Sequence, residues 1–536
     1  MVQVVILAQP IEIVPFDWGG QFGYVSRGGA IMWNQDWWSN RLLFDGTWAI
    51  YPRMYGHEIE AGFLNGIIDA AGLDDSTLVT SYFKYDQGDY LLDRFSFGAG
   101  YIGQGRQVHL HGFKRTYAGT FNQYSNETFQ PIQQTYTVSY ESQKGKDHGG
   151  ISLGHFNTLS GLADSTSRGL IDSRITTSNT FWNHDFGNFH SKISVDQFLH
   201  RYRADHSISA FTGVRYSTRS RLVGELKWKD LVTAGTELNK RSVRQDSLIT
   251  TLWNLFYLKG NISYIDLKIG ITQVDDKSNI NYQFGLKYRF KSFLLSAGIT
   301  QVVKPVHPYY LFDYEINPLS VTSGNFTGID WKGDHSSASI IFSILNDNND
   351  YWDVTIPDTG TIFNERGAHG QLNIKYETSW IPFVDLEMKY ASRSVENLYG
   401  GGIGYRLGYN AKSQLSLFDG FMLVDLRLGV DQFIQRRRNA HIHPIEMVPM
   451  TIYTEGKMDD IVLLNGSITA HVSTFTIRYE WFNITEMILA SMGSDENNYF
   501  TIHPEMSDLG RQVNLTVEWH FRMNLKIIIF IGSYGC

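Results

Sequence analysis

The segment 511–521 alternates without a break. Val513, Leu515, Val517, Trp519 and Phe521 fall on one parity, and Gln512, Asn514, Thr516, Glu518 and His520 on the other. Successive side chains of a β-strand point to opposite faces, so this segment has one wholly apolar face and one wholly polar face. A tilted strand of about this length is long enough to cross a bilayer.

The same alternation returns from Thr77 onward, with no helical period between. Ile265, Leu267, Ile269 and Ile271 oppose Asp266, Lys268, Gly270 and Thr272, and Val384, Leu386, Met388 and Tyr390 oppose Asp385, Glu387 and Lys389. Val424, Leu426, Leu428 and Val430 oppose Asp425, Arg427 and Asp431. The longest run, 403–417, keeps its apolar residues almost entirely at odd positions. Tight links are expected near Ser473, Asp419 and Gly420, Ile381 and Pro382, Lys291 and Ser292, Lys259 and Gly260, and Gly187 and Asn188. Longer polar segments fall between them at 484–510, 434–460, 393–401, 346–368, 303–324, 273–279, 231–246 and 158–173.

No run of 18 apolar residues occurs, so apolar helices of spanning length are absent from the sequence. In hydrocarbon every backbone N–H and C=O needs a partner within the protein, so strands survive there only in a closed sheet. The lipid-facing side must be nearly free of charge, since Lys or Arg there costs roughly 2–4 kcal/mol at the midplane. In the strands quoted, the apolar face carries no charge and the other carries both signs. A soluble sandwich has no reason to keep short links on one side and long ones on the other, and a propeller would show blade repeats, which are lacking. The fold class is therefore all-β: a transmembrane antiparallel β-barrel of about 22 strands, with short periplasmic turns and long extracellular loops. Phe186, Tyr257, Phe290, Trp380 and Phe521 close strands that run toward the short-turn side and are expected to form an aromatic girdle there. The expected domains are an N-terminal segment 1–77, the barrel 78–521 and an apolar tail 522–536. The location is a bacterial outer membrane of the Gram-negative type.

A net charge of −8 argues against a nucleic-acid binder. The single cysteine, Cys536, permits neither an internal disulfide nor a thiolate metal site. The start, MVQVVILAQP, is similar to the last half of a secretory signal or to a buried first strand.

The C-terminal seventy residues carry a resemblance. Tyr479, Glu480, Trp481, Phe482, Asn483 and Ile484, then Tyr499, Pro504, Gly510 and Arg511, then the strand ending Trp519-His520-Phe521, resemble the finish of TonB-dependent outer-membrane receptors. The resemblance implies a barrel of that size, uptake of a small solute or nutrient, a plug domain filling the lumen, and TonB as energising partner. It also implies that Val513, Leu515, Val517, Trp519 and Phe521 form the strand read by the barrel-assembly machinery. Only about 77 residues precede the first strand, fewer than a full plug, so the plug is expected to be short, truncated or missing. Arg41-Leu42-Leu43-Phe44-Asp45-Gly46 resembles a plug strand and turn, or any hairpin. The alternatives are a passive porin-like channel and an adhesin or structural barrel.

Candidate binding residues follow from the two faces. His109 and His111 share a strand face and would line the lumen, as would Asp425, Arg427 and Asp431. Two histidines so spaced suit either metal ligation or ordinary polar lining. Arg436, Arg437, Arg438, His441 and His443 lie in an expected extracellular loop, where guanidinium forks suit an anionic ligand or lipopolysaccharide phosphates. Asp347, Asp350, Asp353 and Asp358 lack the spacing of a calcium loop. No nucleophile elbow, phosphate loop or dinucleotide fingerprint occurs, so no enzyme, cofactor or resident metal is expected. Membrane lipid and lipopolysaccharide are the remaining expected partners.

Overall fold

The computed structural model describes 76–116, 132–163, 168–205, 213–229, 231–244, 248–305, 319–352, 362–393, 405–435, 459–493 and 510–526, with a few single residues and seven short N-terminal strands. The barrel begins with β1 (Ser76–Gly88), β2 (Leu92–Gly103), β3 (Arg106–Thr116), β4 (Ile132–Lys144), β5 (Asp147–Ala163) and β6 (Arg168–Asp185). It continues through β7 (Phe189–Asp205), β8 (Val214–Trp228), β9 (Val232–Arg244), β10 (Leu248–Ile262), β11 (Ile265–Val274) and β12 (Lys277–Phe290). Next come β13 (Phe293–Pro305), β14 (Leu319–Lys332), β15 (Ser336–Trp352), β16 (Ile362–Ile381) and β17 (Val384–Arg393). The ring ends with β18 (Tyr405–Leu417), β19 (Met422–Ile434), β20 (Ile461–Val472), β21 (Phe475–Phe482) and β22 (Gln512–Lys526). Among the described residues one helix, α1 (Thr485–Ser491), stands in the link between β21 and β22.

Each strand pairs antiparallel with the next, and β22 pairs with β1 from Asn514 against Gly88 to Lys526 against Ser76. The sheet is a closed ring with no free edge, which removes the unpaired backbone groups that a membrane would penalise. The links at one rim are two to four residues long, at 104–105, 145–146, 186–188, 229–231, 263–264, 291–292, 333–335, 382–383, 418–421 and 473–474. Those at the other rim reach from Phe482 to Gln512 and from Ile434 to Ile461. Pro382 and Phe383 form one of the tight turns, with Phe383 at φ 65° after a proline, as a type II turn demands.

The alternation read in the sequence becomes the two walls. Leu267, Ile269 and Ile271 on β11 and Leu515, Trp519 and Phe521 on β22 stand exposed on the outside. Asp266 and Thr272 on β11 and Gln512, Asn514 and Thr516 on β22 are buried on the inside. Phe186, Phe290, Trp380 and Phe521 are exposed near the short-turn rim, joined by Phe189, Trp228, Phe383 and Phe418. That is the girdle expected of residues placed where lipid headgroups begin.

Several expectations are corrected. Tyr257 does not belong to the girdle: the outward positions of β10 are even, and Tyr257 turns inward at 7% exposure. Lys259 and Gly260 are not a turn but lie within β10, and the chain reverses at Ser263 and Tyr264. Segment 231–246 is not a loop: β9 occupies most of it, because its polar residues line the interior and the region above the apolar belt. Segment 273–279 narrows to a turn at Asp275 and Asp276. Asp347 and Asp350 sit on β15 rather than in a loop, while Asp353 and Asp358 lie outside the described residues. The last strand continues past Phe521 to Lys526, so the first residues of the expected tail belong to the wall.

Glycine and tyrosine cooperate across the inner wall. On adjacent strands Glu225, Gly235 and Tyr257 are in register. A Cβ on Gly235 would meet Tyr257 Cζ at 2.3 Å, so the bare glycine lets the ring lie flat and donate its hydroxyl to Glu225 Oε1 at 2.5 Å, two strands away. Gly98 does the same for Tyr82, which bonds His111 Nδ1 across it. Ahead of the ring, Leu42–Phe44 pairs with Ala49–Ile50 in a small sheet separate from the barrel, as a hairpin reading of that stretch anticipates.

Candidate functional site

Inward-facing residues of the barrel form ladders of opposite charge. Asp196 accepts from Arg221 Nε at 2.7 Å, Asp266 lies 3.5 Å from Lys287 Nζ, and Glu387 lies between Lys375 Nζ at 3.3 Å and Lys389 Nζ at 3.1 Å. At the seam, Asp86 on β1 is fully buried, accepting from Arg94 Nε at 2.5 Å and from Thr516 at 2.5 Å, with Lys84 Nζ at 3.6 Å. Such pairs satisfy charges that a packed small barrel would exclude.

Between the seam and β17 the wall hollows into a recess of about 610 Å³. Lys84, Asp86, Arg94, Glu387, Asn410, Lys412, Arg427, Asn465, Ser467, Arg478, Glu480 and Asn514 line it. Most of its charges are spoken for. Asp86 and Glu387 hold the cations named above, and Arg478 Nη1 lies 3.5 Å from Glu480. Lys412 on β18 and Arg427 on β19 are different. They stand directly opposite one another in register, both facing inward, and among the described residues neither has a carboxylate within 4 Å, Asp385 on β17 facing Lys412 in register without closing an ion pair. Like charges directly opposed across a ladder destabilise a sheet unless an anion sits between them. The recess thus presents a cationic pair that no close ion pair engages, framed by amide and hydroxyl groups, a setting for a carboxylate, catecholate or phosphate oxygen.

The lumen-lining residues expected from the sequence all face inward. Arg427 is part of the recess. Asp425 is occupied, accepting from Gln414 Nε2 at 2.9 Å with His471 Nε2 at 3.0 Å, and Asp431 lies against Gly408. His109 and His111 bond Gln107 and Tyr82 respectively. Among the described residues no group of three or more metal-ligating side chains converges. Arg436, Arg437, Arg438, His441 and His443 lie outside the described residues. Sequence reasoning missed Lys412 and the Asp86 cluster. The alternation puts each on the inner face, but only the strand register says what it meets.

A closed ring of 22 strands with an apolar outer belt, a charged interior and long loops at one rim alone is the architecture of the plugged receptor and transporter barrels of the bacterial outer membrane. No protein-family model matches the sequence, and no curated protein matches it. Solved structures share the fold. The FrpB iron transporter from Neisseria meningitidis superposes with a TM-score of 0.65 at 8% identity, over 96% of this chain and 95% of that one. The siderophore receptor PirA from Acinetobacter baumannii gives 0.60 at 9% identity, over 84% and 81%. The alcaligin outer-membrane receptor FauA from Bordetella pertussis gives 0.55 at 11%, over 83% and 76%. These are transporters and receptors, and at such identities the likeness is one of fold.

Proposed function

We propose that the chain is an outer-membrane receptor that imports a small anionic solute, with iron chelates as the first class to try. The observation that carries this reading is the directly opposed Lys412 and Arg427 in the lumenal recess, neither engaged in an ion pair among the described residues. A recess of about 610 Å³ suits a molecule of chelate size. The fold neighbours include an iron transporter and siderophore receptors, which supports the same class.

In this reading the long loops capture the solute, the one after β19 offering Arg436, Arg437, Arg438, His441 and His443. Lys412 and Arg427 then draw it inward, while residues 1–77 act as a short plug pulled by TonB. The outer face of β22, with Val513, Leu515, Val517, Trp519 and Phe521, serves as the signal for the barrel-assembly machinery.

The test is saturable binding and uptake of a panel of ferric siderophores by cells expressing the chain. Uptake that depends on TonB and falls in Arg427→Gln supports the reading. Rapid, non-saturable swelling of proteoliposomes in uncharged sugars would instead make it a passive channel. Loop-mediated cell attachment with no solute uptake would make it an adhesin.

A further inference from the structure

The outer wall holds a second cationic site, facing away from the lumen. On β6 to β9, Arg174, Arg201, Tyr216 and Arg244 fall on one register row. Their parity is that of Trp182, Ile193, Leu222 and Leu238, all exposed on the outer face. Lys240 stands two outward positions below Arg244 on the same strand, and it too is exposed. The apolar belt therefore ends here in arginine and lysine on three of four adjacent strands, with Tyr216 on the fourth.

Their height explains why the membrane tolerates them. Arg201 and Arg244 each lie twelve positions beyond the foot of their strands at Phe189 and Val232. At about 3.3 Å per residue and a tilt of about 40°, that is roughly 30 Å above the short-turn rim, beyond an apolar band of about 25 Å. Lys240 stands roughly 20 Å up by the same measure and can reach the boundary along its flexible stem. The row is at headgroup level of the outer leaflet.

Its charge is only partly balanced from within the wall, by one carboxylate against four cations. Asp172 lies 3.1 Å from Arg174 Nε and 2.6 Å from Arg201 Nη1, which orients those two guanidinium groups. Lys240 and Arg244 have no ion-pair partner among the described residues. Below the row Leu199, Leu222, Leu238 and Leu252 are exposed toward the acyl region. Cations above and leucines below form a surface for one kind of ligand, an anionic lipid held by phosphate at the top and chains beneath.

We propose that Arg174, Arg201, Lys240 and Arg244 bind the phosphorylated headgroup of an outer-leaflet glycolipid. The row spans three inter-strand steps, roughly 14 Å, wide enough for a headgroup bearing more than one phosphate. Guanidinium forks match phosphate oxygens in pairs, and the hydroxyl of Tyr216 adds a neutral donor between them. The site rests on the orientation of the barrel in its membrane and is independent of the solute that passes through it.

The experiment is native mass spectrometry of the full chain purified in detergent, with bisphosphorylated lipid A, dephosphorylated lipid A, phosphatidylethanolamine or inorganic phosphate added. Wild type is expected to retain bisphosphorylated lipid A at least tenfold over the two lipids lacking its phosphates. The double variant Arg201→Gln/Arg244→Gln should lose that preference, while Lys291→Gln at the opposite rim should keep it. A heat-shifted band on gels certifies folding, and Lys240→Gln, which removes no described bond, replaces the double variant if that one fails to fold, with a loss of several-fold expected. Equal retention of dephosphorylated lipid A overturns the proposal, as does undiminished binding in a folded variant. Displacement of the lipid by inorganic phosphate at equal concentration would assign the site to the free ion and overturn it too.

Discussion

Thr516 on β22 donates its hydroxyl to the Asp86 carboxylate on β1 at 2.5 Å, joining residues 430 positions apart. Asp86 also holds Arg94 on β2, so one buried carboxylate ties together the last strand and the first two. Asp86→Ala would remove the carboxylate that Arg94 and Lys84 share, at a site where Asp86 is 1% exposed. The expected cost is about 3 kcal/mol, the low end for breaking a buried pair, because Arg94 keeps 13% exposure. Thr516→Val removes one neutral donor and should cost about 1–2 kcal/mol. The temperature at which the folded band disappears on gels should fall in that order, and equal temperatures for both variants would refute the ranking.

The glycine under Tyr257 gives a test by double substitution. Gly235→Val places atoms where the ring of Tyr257 lies and should lower stability by about 1–3 kcal/mol through overpacking. Adding Tyr257→Ala removes the clash, so the double variant should be more stable than Gly235→Val alone. Additive losses would show that the ring is not what the glycine accommodates.

The two faces of the wall should answer differently to the same charge. Leu267→Arg puts a guanidinium on the lipid side of β11 and should cost roughly 2–4 kcal/mol if it lies near the midplane. Gly285→Arg, on the neighbouring strand, points inward beside Asp266, where a Cβ meets only an ordinary contact at 3.7 Å. It should fold nearly as well as wild type. Folding yields into lipid vesicles measure both, and equal yields would contradict the assignment of faces.

Arg427→Gln should separate stability from binding. Without solute, the loss of a like-charge neighbour to Lys412 should leave the barrel unchanged or stabilise it by up to about 1 kcal/mol. Affinity for the anionic solute should fall tenfold or more, read by fluorescence quenching with a ferric chelate. A fall in stability with unchanged affinity would mean that Arg427 serves the wall and not the solute.

Much of this was legible in the residues. A period of two places Leu267 outside and Asp266 inside whatever the neighbours are, so the class of fold and the character of each wall follow from the chain alone. Arg427 and Asp425 could be assigned to the interior for the same reason. What each meets could not, since a one-residue change of register would give Arg427 a different partner and leave the alternation intact. The same limit hid the bond between Asp86 and Thr516, which exists only because the ring closes. Errors arose where residue type was weighed above parity. Gly260 suggests a turn and Tyr257 a girdle, yet Gly260 pairs with Val232 and Leu267, and Tyr257 occupies an inward position. The polar content of β9 suggests a loop for a related reason, since a charged inner wall and a cationic upper edge leave a strand few apolar residues.

Ser76 and Lys526 face each other in register across the seam, so the order of the strands is cyclic and its two ends meet at one rim. Strand identity is then a matter of where the chain happens to be cut. A circularly permuted gene, with those ends spliced through a short linker and new termini opened in the loop between β19 and β20, would encode the same ring. It would also part residues 1–75 from the start of β1, making the point at which that segment joins the ring something an engineer can choose.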